Sequence, residues 1–149
     1  MMKGGYDMKK KVIGVLAVLG LLAIGVGIWY KLPVRFVDLA PEDVLEIVLF
    51  DGNTGKSAHI TDTDAIEKII ADFNSVTLTR DKLSMGYMGF SLKTTIYLKN
   101  GEEADGWNNF IINSADTIRK DPFFYKVQEG AIDYNYMQQL VRGKWALLA

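Results

Sequence analysis

The 149-residue chain has no cysteine, one histidine and three prolines. The missing thiols exclude disulfide bonds, thiolate metal sites and cysteine nucleophiles together. A cysteine-linked lipoprotein anchor is excluded with them. The lone histidine, His59, has no second imidazole to share a metal with, and no serine stands in a nucleophile-elbow pattern that would build a triad around it. It reads instead as a strand residue facing solvent or a neighbouring strand. Excess positive charge is missing from most of the chain: from Lys31 onward there are 13 basic and 17 acidic side chains. That balance excludes nucleic acid as a partner, since binding it relies on Lys and Arg neutralising phosphates. Internal repeats and low-complexity tracts are absent as well.

What is present begins with Val12 to Tyr30, 19 residues without a charge. At about 1.5 Å per residue this run spans roughly 28 Å, close to the roughly 30 Å hydrocarbon core of a bilayer. Trp29 and Tyr30 stand where an interfacial aromatic belt places such rings. Four lysines against one aspartate precede the run, whereas Asp38, Glu42 and Asp43 soon follow it. The positive-inside rule therefore predicts a cytoplasmic N-terminus and an extracytoplasmic C-terminal part. A cleaved signal peptide is the rival reading. Its apolar core is usually about 7–15 residues and ends in small side chains, whereas this run is longer and ends in Ile28-Trp29-Tyr30-Lys31. Lys3-Gly4-Gly5 can be encoded by a strong ribosome-binding sequence, so Met8 is the expected translation start. The organisation this predicts is residues 1–11 cytoplasmic, 12–30 a transmembrane anchor, 31–43 a Pro-interrupted stalk, and 44–149 an extracytoplasmic domain.

Within that domain, Val44–Phe50 is β-branched and apolar, a strand with a well-buried face. Asp51-Gly52-Asn53-Thr54-Gly55 is turn chemistry, and Lys56–Ile60 returns as a strand. Thr61–Asp64 offers N-cap oxygens, after which Ile66, Ile69, Ile70 and Phe73 recur at helical spacing, with Glu67, Lys68 and Asp72 toward solvent. Asn74 is the expected stop, and Val76–Thr79 the next strand. A flexible stretch around Ser84–Gly89 leads to the strand Phe90–Leu98, with Phe90, Leu92, Thr94, Ile96 and Leu98 on one face. Asn100-Gly101 signals a type I′ hairpin. Shorter strands are expected near residues 102–105, 110–113 and 123–127. Asp133 caps a last helix that Gly143 stops, with Tyr136, Met137, Leu140 and Val141 toward the core. The fold class is α+β: a transmembrane helix, then an antiparallel sheet with two helices on one face.

Ile60-Thr61-Asp62-Thr63-Asp64-Ala65-Ile66-Glu67-Lys68-Ile69-Ile70, followed by a strand ending in Lys99-Asn100-Gly101, resembles the small membrane-tethered or secreted domains of unknown function numerous in Firmicutes. The resemblance covers roughly residues 44–142. It implies an extracytoplasmic Gram-positive setting and this fold class, and it implies no catalytic residue.

Several motifs touch known chemistry and stop short of it. Gly55-Lys56-Ser57 ends like a phosphate-binding loop, but Phe50 stands where the leading glycine belongs and a strand follows instead of a helix. Asp51, Asn53, Gly55 and Asp62 are spaced like calcium-loop ligands, but Lys56 occupies the glycine position and no helix precedes. Acidic pairs such as Asp62/Asp64 and Glu102/Glu103/Asp105 read as surface charge. Phe123-Phe124-Tyr125 must turn Phe124 to the face opposite its neighbours. An exposed Phe124 beside Trp107 makes a candidate partner-binding patch. The expected function is a non-enzymatic module binding a protein, peptide or glycan at the cell surface, with no catalytic residue, metal or cofactor. A membrane-anchored enzyme of unrecognised type, marked by perturbed carboxylates in a cleft, is one alternative. A regulatory partner of another membrane protein is the other.

Overall fold

The computed structural model describes residues 3–104 and 109–143. It divides into two compact units, one ending at Leu32 and one beginning at Pro33. The first is helix α1 (Lys3–Lys31). Its apolar stretch is long enough to cross a membrane, and none of it is buried against protein.

The second unit is α+β. Its strands are β1 (Val34–Arg35), β2 (Val44–Asp51), β3 (Ser57–Ile60), β4 (Thr77–Leu83), β5 (Leu92–Leu98), β6 (Asn109–Ser114), β7 (Thr117–Lys120) and β8 (Phe123–Glu129). Its helices are α2 (Thr63–Ser75) and α3 (Tyr134–Arg142). Among the described residues the strands form one sheet in the order β1-β4-β8-β7-β6-β5-β2-β3. Every neighbouring pair is antiparallel.

Helix α2 forms where the spacing predicts. The Asp62 side chain caps it by accepting from the Ala65 N–H at 2.9 Å, and Ile66, Ile69, Ile70 and Phe73 are all buried. They meet Ile47, Leu49, Leu92, Ile96, Ile112 and Ile118 from one face of the sheet. Fully burying side chains of this size is worth about 1.5–3 kcal/mol each. Helix α3 packs over β2 and β3; Asp133 accepts from the Tyr136 N–H at 3.0 Å as its cap. Met137 and Val141 are buried, and Tyr136 and Leu140 partly so.

The connection through α2 spans the sheet. It joins β3, at one edge, to β4, one strand in from the other edge. Six strand spacings of about 4.8 Å are roughly 29 Å if flat, yet a 13-residue helix is only about 20 Å long. The links from Ile60 to Thr63 and from Ser75 to Thr77 can close that difference; the curl of the sheet round α2 is shown by its aromatic contacts. Phe36, just past β1, meets Phe110 of β6 with ring centroids 4.7 Å apart, and Phe73 of α2 at 5.1 Å.

That packing corrects the expectation of a stalk over residues 31–43. Proline punctuation suggested a spacer, but Phe36 and Val37 are core residues and β1 pairs with β4. The Asn74 side chain ties Leu39 down at both ends, accepting from its N–H at 3.1 Å and donating to its carbonyl at 2.7 Å. Asn74 therefore does not stop α2, which runs on to Ser75. The Asn100-Gly101 turn also differs from expectation. Only Gly101 has positive φ, at +85°, and its N–H donates to the Leu98 carbonyl at 2.9 Å. Type I′ needs positive φ at both central residues, so this is a three-residue hairpin connection with glycine at its left-handed position. The sequence pattern also passed over β7, a four-residue strand whose inward position is Ile118.

Candidate functional site

Two surfaces of the sheet domain present side chains that the core does not account for. The first is the outer face, opposite the helices. β4 and β5 run in the same sense, separated by β8, β7 and β6. Residues 84–91 therefore have to pass across β8, β7 and β6 to reach β5, and they do so on the outer face, where Tyr87 meets Phe124. Phe124 is turned to this face, as alternation along β8 requires, while Phe123 and Tyr125 join the core side.

Phe124 is nevertheless 7% exposed. The crossing loop lays Tyr87 edge-on over it, with centroids 5.0 Å apart. Lys82 lies over both rings, at 5.0 Å from Tyr87 and 5.2 Å from Phe124. Arg119 approaches the Phe124 ring at 6.0 Å. The exposed aromatic expected at Phe124 is thus a covered one, because the loop needs a footing on this face. Trp107, its expected companion, lies outside the described residues.

The loop is fixed at its root. Ser84 is fully buried; its N–H donates to the Pro122 carbonyl at 2.8 Å and its hydroxyl to Asp121. Asp121 also accepts from Arg119 Nε at 2.9 Å. The Arg119 guanidinium and the Ser84 hydroxyl hold its carboxyl below the usual carboxylate range. Ser84–Tyr87 is a turn closed by the Tyr87 N–H on the Ser84 carbonyl at 3.2 Å. Gly86 has φ +83°, which the third position of a type II turn demands. Met85 therefore occupies the outer corner. Leu83, Met85, Tyr87 and Met88 are all exposed, Met88 by 96%.

The second surface is a groove of about 640 Å³ between β3, the first turn of α2, and α3. Ala58, Ile60, Ala65, Tyr136 and Leu140 give it an apolar floor, with Asp62 and Gln139 at its rim. It opens beside an edge strand: among the described residues β3 pairs with β2 alone. His59, between Ala58 and Ile60 on that strand, also borders the groove, and its Nδ1 is engaged 2.6 Å from Glu46 Oε1.

The calcium-like and phosphate-loop residues are explained locally. Asp51 closes its own turn, accepting from the Asn53 N–H at 2.8 Å and the Thr54 hydroxyl at 2.9 Å. Burial by itself would raise its pKa; these bonds from Asn53 and Thr54 outweigh it and hold the carboxyl low. Ser57 begins β3 rather than a helix. Asp116 is held low by the Ser114 and Thr117 hydroxyls of its turn. Asp133 is held low by the Tyr136 N–H it caps and by Lys68. Among the described residues no three metal-ligating side chains converge.

The groove was invisible to sequence reasoning. Ala58, Ala65 and Leu140 carry no chemical signal, and it takes the curl of the sheet to bring β3 against α3. The type II turn has a sequence signal in Gly86, which serves the turn rather than flexibility.

No family model matches the chain, and neither a curated protein nor a solved structure matches it.

Proposed function

We propose that this chain is a single-pass membrane protein, N-terminus cytoplasmic, whose extracytoplasmic sheet domain is a non-enzymatic binding module for an extended peptide segment of a protein partner. The groove beside β3 carries the reading. An edge strand offers unpaired backbone donors and acceptors, and an added strand satisfies them without regard to sequence. The adjoining apolar floor of Ala58, Ile60, Tyr136 and Leu140 receives alternate side chains of that strand, which supplies selectivity. The apolar run of α1, the lysines in its N-terminal part and the resemblance to membrane-tethered Firmicutes domains support the setting. The enzyme alternative asked for carboxylates perturbed in a cleft. Among the described residues, the four with a shift are instead lowered by hydrogen bonds in their turns, a helix cap or ion pairs.

The cysteine-free chain allows a direct test in intact cells. Asn53→Cys, on the exposed β2–β3 turn, should react with a membrane-impermeant maleimide. Failure to react until the cells are opened would overturn the orientation. A photocrosslinker at Leu140 should trap a defined partner, and one at Glu67, away from the groove, should not. Equal capture from both positions, or capture of the chain itself, would overturn the groove as the site.

A further inference from the structure

The tip of the crossing loop takes no part in the groove. Met85, Tyr87 and Met88 of the loop, with Leu83 at the end of β4, place four large, exposed apolar side chains within six residues. They are held out by a buried serine, a closed turn and an aromatic footing, so the display is built into the fold. Their surroundings indicate what covers them. Lys82 flanks the tip and Lys93 is exposed on the same outer face; of the carboxylates at the loop's root, Asp81 is exposed beside Lys82 and Asp121 is engaged by Arg119 and Ser84.

Connectivity adds a second argument. α1 ends at Lys31 and β1 begins at Val34, three Cα steps, or at most about 11 Å. Val34 lies opposite Leu78 and Arg35 opposite Thr77. In an antiparallel pair this means the chain enters β1 from the Leu83 end of β4. If α1 spans a bilayer, the end of the sheet where the loop is rooted is tethered by that short link.

We propose that Leu83, Met85, Tyr87 and Met88 seat in the headgroup layer of an anionic bilayer, with Lys82 and Lys93 meeting the lipid phosphates. An apolar tip flanked by lysines fits that layer: the apolar side chains leave water, the ammonium groups stay at the phosphates, and tyrosine suits the boundary. The loop would hold the domain against the membrane and leave the β3 groove open. The inference rests on the anchored reading of α1.

The test uses the full chain in nanodiscs containing phosphatidylglycerol, with one nitroxide-labelled cysteine at a time. Val18→Cys in α1 reports the anchor, Asn53→Cys reports water, and Met88→Cys reports the loop. Collisions with oxygen, which partitions into lipid, are compared with collisions with a water-soluble nickel chelate. The oxygen-to-nickel ratio at Met88 should exceed that at Asn53 several-fold, and should fall when Lys82 and Lys93 are both changed to Glu. If Val18 is in lipid but Met88 matches Asn53, the anchor stands and the loop proposal fails. A Met88 label shielded from both reagents would mean a protein covers it, which also overturns the proposal. A water-exposed Val18 label would overturn the anchor and the proposal together.

Discussion

Phe36 is 1% exposed between the rings of Phe73 and Phe110, so truncating it leaves a hole between α2 and β6. Phe36→Ala should cost about 3–5 kcal/mol, and Ile70→Ala about 2–5 kcal/mol. Glu67→Ala, on the exposed side of α2, should stay within about 0.5 kcal/mol. Urea midpoints of the domain from Pro33 onward measure all three; a Phe36→Ala midpoint equal to that of Glu67→Ala would return residues 31–43 to the role of a spacer. Ile70 was legible because its partners on the helical face recur at a fixed period in the sequence. Phe36 was not, because it stands between prolines and charges and both of its partner rings are far along the chain. Asp72 shows the same limit: helical spacing put it toward solvent, yet it accepts from the Asp133 N–H at 3.3 Å and faces Lys68.

Among the elements, α2 and α3 are joined by Lys68, whose ammonium lies 3.2 Å from Asp133 and 3.5 Å from Asp72. Asp133 raises the pKa of Lys68, and its own is lowered by the α3 cap and by Lys68. The turn carboxylates Asp116 and Asp121 are lowered as well. A carboxyl whose pKa is depressed on folding adds stability above its ordinary value, 3.8, and loses it as pH falls through the folded value. Urea midpoints should therefore hold steady from neutral pH down to about pH 5 and decline below about pH 4. Asp121→Asn should flatten part of that decline; an unchanged acid limb would show that the turn carboxylate is not anchored as described. Strong elements were legible here by period and cap, as with Asp62 and Asp133. Weak ones were set by tertiary pairing: β7 is four residues long, and the Asn100-Gly101 pair took the turn its strand register demanded.

For the whole molecule, the order β1-β4-β8-β7-β6-β5-β2-β3 makes the N-terminal residues an edge of the sheet and a plug for its core. A fragment beginning at Pro33 should unfold in one cooperative urea transition. One beginning at Leu39 lacks β1, Phe36 and Val37, and should show a much lower midpoint or no transition. Equal midpoints would mean that the first strand is dispensable. The groove and the loop could not be read from the sequence at this scale, since each depends on how far the sheet curls and which face a connection crosses.

The same edge strand has a mechanical consequence. Any load applied through α1 enters the domain at Val34, and the ladder there is two residues long. Behind it the Phe36 N–H meets the Val76 carbonyl at a long 3.4 Å, and then comes the Phe36 ring, seated between Phe73 and Phe110. Tension would peel β1 first with little resistance and then have to extract that ring from the core. The domain is thus a two-stage latch, with a compliant first stage and a stiff second one, and force on the chain would open the β4 edge before it disturbed the β3 groove at the opposite side of the sheet.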